Sequence, residues 1–158
     1  MSDARFEDGA EVPLRLKAET AEDLAVLAAL VQDAILSSAD IHYDRKARRL
    51  GLLLNRFRWE DRVSAEAQGR PFERVRALLL ISDVLAVQLS GVTPGAGGTV
   101  LSLLDLGWAP GEDGSGRLTL TLAGDGAIAA EVECLNLALR DVTRPYVAPS
   151  RKAPQHPE

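Results

Sequence analysis

The alternation of apolar and polar residues divides this chain into one helical stretch and a series of strands. Leu14 and Leu16 share a side of a short strand over residues 12–18. Leu24, Leu27, Val31 and Ile35 then recur at helical spacing, filled out by Ala28 and Ala34. This spacing predicts an amphipathic helix over residues 20–36. Thr20 stands where its hydroxyl caps the first turn, and Asp23 three residues on completes a capping-box contact. From residue 40 the period becomes two. Residues 40–43 and 48–57 predict a hairpin across DRKA, with Leu50, Leu52 and Leu54 on one face. Residues 74–92 read as a central strand bent at ISDV, residues 81–84. A second hairpin is predicted from residues 99–108 and 117–122. Residues 128–142 predict a last long strand whose parity switches, and so bends, at Cys134–Leu135.

Three segments recur in the same order. IHYD (41–44) is echoed by LGWA (106–109), RLGLLL (49–54) by RLTLTL (117–122), and VLAVQLSGV (84–92) by CLNLALRDV (134–142). The expectation is an α+β fold of mostly antiparallel sheets with about seven strands. Two pseudo-symmetric three-stranded units would close into a barrel or sandwich beside one N-terminal helix. A pleckstrin-homology-like barrel is the alternative, although its helix follows the last strand and here the helix comes early. The polar stretch 61–71 reads as a loop, whereas the second copy has only AGDG (123–126) at that place. Extra connection length on a repeated scaffold is where function is commonly grafted. The expected boundaries are a flexible N-terminus over 1–11, a single domain over 12–146 and a disordered proline-rich tail over 147–158.

Composition narrows the class. Aromatic residues make up only 4% of the chain, so Leu, Val and Ala must build the core. The single cysteine, Cys134, excludes an internal disulfide framework and reads as a buried, inert thiol in a strand. MSDARFEDGAEVP lacks the basic and apolar regions of a signal peptide, and no stretch approaches the roughly 20 apolar residues of a membrane span. The polar helix face (Glu22, Gln32, Asp33) carries no Lys or Arg, which argues against a membrane surface. A cytoplasmic location is expected, with no membrane partner.

The net charge of −5 hides an asymmetry. Ten Lys or Arg against five Asp or Glu lie between His42 and Arg76, a basic band in an otherwise acidic chain. Within it NRFRWE (55–60) places Arg56 and Arg58 on one strand face and Phe57 and Trp59 on the other. Arg49, Arg74 and Arg76 on adjoining strands would complete a patch. Arg56, Arg58, Trp59, Arg49, Arg74 and Arg76 are therefore the candidate binding residues, because guanidinium forks suit carboxylates and phosphates, and Arg and Trp anchor protein interfaces. Glu60, Asp61 and Glu73 are the carboxylates placed to neutralise the band from within.

No catalytic group assembles from the sequence. Gly95, Gly97 and Gly98 lack the Lys and the following helix of a phosphate loop. His42 has no flanking motif that pairs it with a nucleophile, and no metal-ligand spacing occurs. No cofactor is expected.

LKAETAEDLAVLAALVQDAIL, NRFRWE and EVECLNLALRDVTRPY together resemble a proteobacterial family of unknown function, domain-of-unknown-function family 2948, over residues 14–146. The resemblance implies a small cytoplasmic bacterial protein and supplies no catalytic residues. The expected function is a non-enzymatic binding or adaptor protein that recognises another protein through the Arg56–Trp59 edge. The alternative is binding of an anionic ligand, nucleotide or nucleic acid at the basic patch.

Overall fold

In the computed structural model, which describes residues 13–92, 98–147 and 153–154, the period-two stretches form eleven strands. They are β1 (Arg15–Ala18), β2 (Ile35–Ser37), β3 (Ile41–Asp44), β4 (Arg49–Phe57), β5 (Glu73–Ile81), β6 (Val84–Ser90), β7 (Val100–Pro110), β8 (Gly116–Leu122), β9 (Gly126–Val132), β10 (Leu137–Asp141) and β11 (Tyr146–Val147). Two helices accompany them, α1 (Ala21–Val31) and α2 (Arg62–Gln68). The strands pair antiparallel in the order β1-β10-β5-β4-β2-β7-β8-β9-β6, with β3 added to β4 and β11 to β5.

This architecture corrects the expected seven strands and one helix. The first helix stops at Val31, because Asp33 takes a positive φ of 62° and residues 33–34 bond to Leu103 of β7. Ile35–Ser37 is then free to become β2, the strand that bridges β4 and β7. The polar stretch 61–71 contains α2, which ends at Gly69 in the left-handed conformation with φ 65°. Residues 74–92 are two strands, β5 and β6, and residues 128–142 are two more, β9 and β10. A pleckstrin-homology arrangement is absent among the described residues, since no helix follows the last strand. The expected flexible segment 1–11 lies outside the described residues, as do 93–97 and most of the tail; Val147 pairs with Glu73 in β11.

Why the strands break where they do follows from local chemistry. Asp83 sits at φ 58°, a conformation that reverses the chain and that Asp tolerates better than most residues. Its carboxylate accepts hydrogen bonds from Asn136 Nδ2 (3.1 Å) and the Cys134 thiol (3.3 Å). The Ser82 amide donates to Asn136 O, and the Glu133 amide donates to Asp83 O. The β5–β6 and β9–β10 corners therefore clasp each other. Beyond this clasp β6 leaves β5 to pair with β9, and β10 leaves β9 to pair with β5. The expected three-stranded units are thus not self-contained, because the last strand of each lies beside the other.

Registers in the two meanders β3-β4-β5 and β7-β8-β9 coincide. Ile41 and Tyr43 face Leu52 and Leu50, as Leu106 and Trp108 face Leu120 and Leu118. Leu50 and Leu52 face Ile81 and Leu79, as Leu118 and Leu120 face Ala130 and Ile128. One core joins both meanders, α1 and β10, with Leu27, Leu50, Leu79, Leu118, Ile128 and Leu139 among its fully enclosed members. Helix α1 seats Leu24, Leu27 and Val31 in it, and its start is fixed as the sequence indicates. Thr20 Oγ1 accepts from the Asp23 amide (3.1 Å), and Asp23 Oδ2 accepts from the Glu19 amide (3.3 Å).

Candidate functional site

On β4 the inward row Leu50, Leu52, Leu54 continues without a change of parity into Arg56. Arg56 is 0% exposed, so a guanidinium occupies the end of an apolar row. On β10, which β5 separates from β4, the row Leu137 and Leu139 ends likewise in the buried Asp141. A charge in such a place is tolerated only when it is paired and fully hydrogen-bonded.

All five N–H groups of Arg56 find acceptors. Nε and Nη2 donate to Asp141 Oδ1 and Oδ2, both at 3.0 Å. Nη1 and Nη2 donate to Glu60 Oε1 and Oε2 at 2.9 and 2.8 Å, and Nη1 also reaches Phe57 O at 3.3 Å. Asp141 Oδ2 accepts in addition from the Leu14 amide, which ties β1 to the cluster (3.1 Å). Burial opposes the charge on both Arg56 and Glu60, but the mutual hydrogen bonds and attraction outweigh it. The Arg56 guanidinium is raised further above its usual range, and the Glu60 carboxyl is held below the ordinary carboxylate range.

A second layer surrounds this pair. Arg58 bonds to Glu73 and lies 3.6 Å from Asp61. Asp61, 8% exposed, receives both Nη groups of Arg70 at 3.1 Å. Arg70 thereby closes α2 back onto the turn that starts it. In this cluster the guanidinium groups of Arg56, Arg58 and Arg70 meet the carboxylates of Glu60, Asp61, Glu73 and Asp141. Among the described residues no buried side-chain nitrogen or oxygen lacks a partner.

The expected convergence of arginines does not occur, and the register explains why. Arg56 faces Val75, while Arg74 faces Phe57 and Arg76 faces Asn55. Directly opposed residues share a face, so Arg74 and Arg76 lie on the side of the sheet away from Arg56. Arg74 is buried there, with Nε on Asn55 Oδ1 (2.7 Å) and Nη2 on Asn55 O (3.1 Å). Burial lowers its pKa. Asn55 Nδ2 donates in turn to the Tyr146 hydroxyl (2.6 Å), fastening β11. Arg49 and Arg76 are exposed, but Asn55, the partner of Arg76, lies six residues along β4 from Arg49. At 3.3–3.4 Å per residue that is a separation of roughly 20 Å. Trp59 is half-buried, its indole N–H on Gln32 O (3.0 Å) and its ring edge-to-face with Phe57 at 4.7 Å.

Asp141 and Arg70 escape a reading of the basic band alone. The signal for Asp141 is its parity: a carboxylate at the third position of the row Leu137, Leu139, Asp141 has to meet a buried cation.

A separate open groove of about 590 Å³ is lined by Thr20, Trp108, Ser115, Cys134 and Asn136, among others. Cys134 is exposed there instead of buried in a strand, because the chain has left β9 to reach β10. Its hydrogen bond to Asp83 raises the thiol pKa, the opposite of what activates a nucleophile. No histidine lines the groove, and no group of three His, Cys, Asp or Glu among the described residues could hold a metal ion.

No curated protein and no solved structure matches the chain. The model of a family described as "Protein of unknown function (DUF2948)" matches residues 14–156, a span that takes in both meanders, α2 and Asp141. The chain belongs to that family.

Proposed function

We propose that the protein is a non-enzymatic binding module that recognises another protein through the apolar outer face of β2 and β7. The observation that carries this is a run of sequence without charge that leaves apolar side chains exposed on one face. In a chain of which 26% is charged, residues 84–104 contain no Asp, Glu, Lys or Arg. Val100 is 71% exposed, Leu104 40% and Ile35 39%. Ile35 faces Ser102 across the β2–β7 pairing, which groups it with Val100 and Leu104 on the outward side. Apolar side chains gathered on one face mark association sites more often than single exposed ones do. The class of function is the one expected from the sequence, while the contact surface moves away from the Arg56–Trp59 edge, whose arginines are engaged internally.

Affinity capture from the native cell with wild-type, Val100→Asp/Leu104→Asp and Arg49→Ala/Arg76→Ala baits tests the reading. The same partner should be enriched by wild type and by the arginine variant, and lost from the Asp variant. A partner kept by the Asp variant, or lost from the arginine variant and released by modest salt, would replace this surface with a basic one.

A further inference from the structure

We infer that the outward face of β1, β10 and β5 is a basic docking surface, and that its occupant is the acidic segment 1–12 of the same chain.

The first observation is a set of cations on one side of the sheet. Arg15 faces Arg140 across the β1–β10 pairing, and Arg140 faces Leu78 on β5. Directly opposed residues share a face, and Arg76, two residues from Leu78, shares it as well. The alternate residues Leu139 and Leu79 lie in the core, so this face is the outward one. Arg140 stands directly opposite Arg15 and diagonal to Arg76, with Cβ atoms roughly 5 and 7–8 Å apart. All three arginines are exposed, and none forms an ion pair among the described residues.

The second observation is what this face lacks. Like charges directly opposed across strands are destabilising unless something offsets them. Elsewhere an exposed strand arginine is set opposite an acid, as Arg117 is opposite Glu131 at 3.0 Å. The outward positions of β1, β10, β5 and β4 hold no Asp or Glu. Asp141, next to Arg140, points the other way and is committed to Arg56. The offsetting charge has to come from outside the sheet.

The third observation decides the occupant. Segment 1–12 carries Asp3, Glu7, Asp8 and Glu11 against Arg5 alone. It joins the body at this end of the sheet, where the Leu14 amide donates to Asp141 Oδ2 (3.1 Å) and Leu14 O accepts from the Asp141 amide (2.9 Å). Arg15 is the next residue, four positions after Glu11. β5 lies two strands from β1, so Arg76 is roughly 10 Å away at 4.7–4.9 Å per strand. Segment 1–12, at up to about 3.3–3.6 Å per residue, crosses that distance with length to turn. A short tether holds its carboxylates near the arginines at an effective concentration on the order of millimolar. Phe6, between the acids, supplies an apolar side chain for Leu78 and Leu53, which face each other half-buried beside the arginines. Charge also selects this segment over the others outside the described residues. Residues 93–97 carry no charge, residues 148–152 carry Arg151 and Lys152, and residues 155–158 have Glu158 alone as an acid.

The experiment uses the full chain with a nitroxide at Ala4→Cys in a Cys134→Ser background, and reads paramagnetic broadening of backbone amide signals by NMR. The amides of Arg76, Leu78 and Arg140 should broaden strongly. Adding Arg15→Gln/Arg140→Gln keeps the tether and removes the charges, and the broadening should fall to the residual level set by the tether. Adding Asp3→Asn/Glu7→Gln/Asp8→Asn/Glu11→Gln instead keeps the arginines and should give the same fall. So should salt near 1 M, where the screening length is about 3 Å. Circular dichroism shows that each variant is folded. Broadening that is equal in either set of substitutions overturns the inference. So does its absence with all charges in place, and a short RNA or polyglutamate that then shifts the Arg140 amide signal would give the face to an outside anion.

Discussion

The two meanders share one register but close their second hairpins in different ways. β8 turns into β9 through residues 123–125, with Leu122 directly facing Gly126. That turn requires only positive φ at Gly124 (83°) and Asp125 (66°). β4 runs past the matching point, Leu54↔Ala77, for three further pairs, and residues 58–72 then hold a 3-10 turn and α2. The longer hairpin outruns the supply of apolar side chains. Where the core row has no further leucine, Arg56 continues it, and Glu60, Asp141, Arg58, Asp61 and Arg70 enclose that charge. The lesson is that an inserted connection on a β scaffold can be structural from end to end. Its charges are there to be buried together.

The largest expected effect separates the two hairpin ends. Arg56→Met removes the cation and strands Asp141 in the core, which should cost about 3–5 kcal/mol. Chemical denaturation would show it as a large fall in midpoint, and a loss of only a few tenths would mean that Asp141 does not depend on Arg56. Next come the positions where the halves are alike. Leu52 and Leu120 are 1% and 0% exposed in matching registers. Leu52→Ala and Leu120→Ala should each destabilise by about 2–5 kcal/mol. A clear loss at one and none at the other would break the equivalence of the two meanders.

Acid should distinguish the halves again. Glu60 titrates below its ordinary range when folded, so its contribution is whole above about pH 4.3, the usual Glu value, and is lost as pH falls through the folded pKa. Glu60→Gln should therefore flatten the fall in urea midpoint below about pH 4. An unchanged slope would show that another carboxylate governs acid unfolding.

A smaller pair of effects should be equal. Gly69 ends α2 at φ 65° and Gly124 closes the β8–β9 turn at φ 83°, and neither has an atom within 4 Å of an added Cβ. Gly69→Ala and Gly124→Ala should each cost about 1–2 kcal/mol of pure backbone strain, readable as matching shifts in melting temperature. The smallest effect is on α2's outer side. Arg62 and Glu66 are about half exposed at 3.4 Å, so Arg62→Ala should change stability by less than about 0.5 kcal/mol.

Much of this was legible from residue patterns. Thr20 and Asp23 marked the start of α1, and the leucine rows on β4 and β8 marked the core. The two corners showed as ISDV and as the parity switch at Cys134. What those corners do was hidden, because a local pattern marks a bend and not the strand it leads to; the clasp made by Asp83 and Asn136 spans 53 positions. The helix ran too long because Ile35 and Leu36 continue an apolar spacing that Asp33 interrupts only through its backbone angle. Helix α2 was missed because its seven residues bury only Ala65. The basic band was visible in the sequence, but its division between two faces depends on a single register, Arg56 opposite Val75.

The double-mutant cycle between Arg56→Met and Asp141→Leu tests most directly the claim that the cluster is an internal support. Arg56→Met leaves the buried Asp141 without its guanidinium, and Asp141→Leu leaves the buried Arg56 with Glu60 as its one carboxylate. The double substitution removes both, and Glu60, 32% exposed at its side chain, can turn to solvent. The account predicts that the double variant is more stable than either single variant, so that the two losses fail to add by more than about 2 kcal/mol. Losses that simply add would contradict it, and would mean that Arg56 and Asp141 act on stability independently of each other.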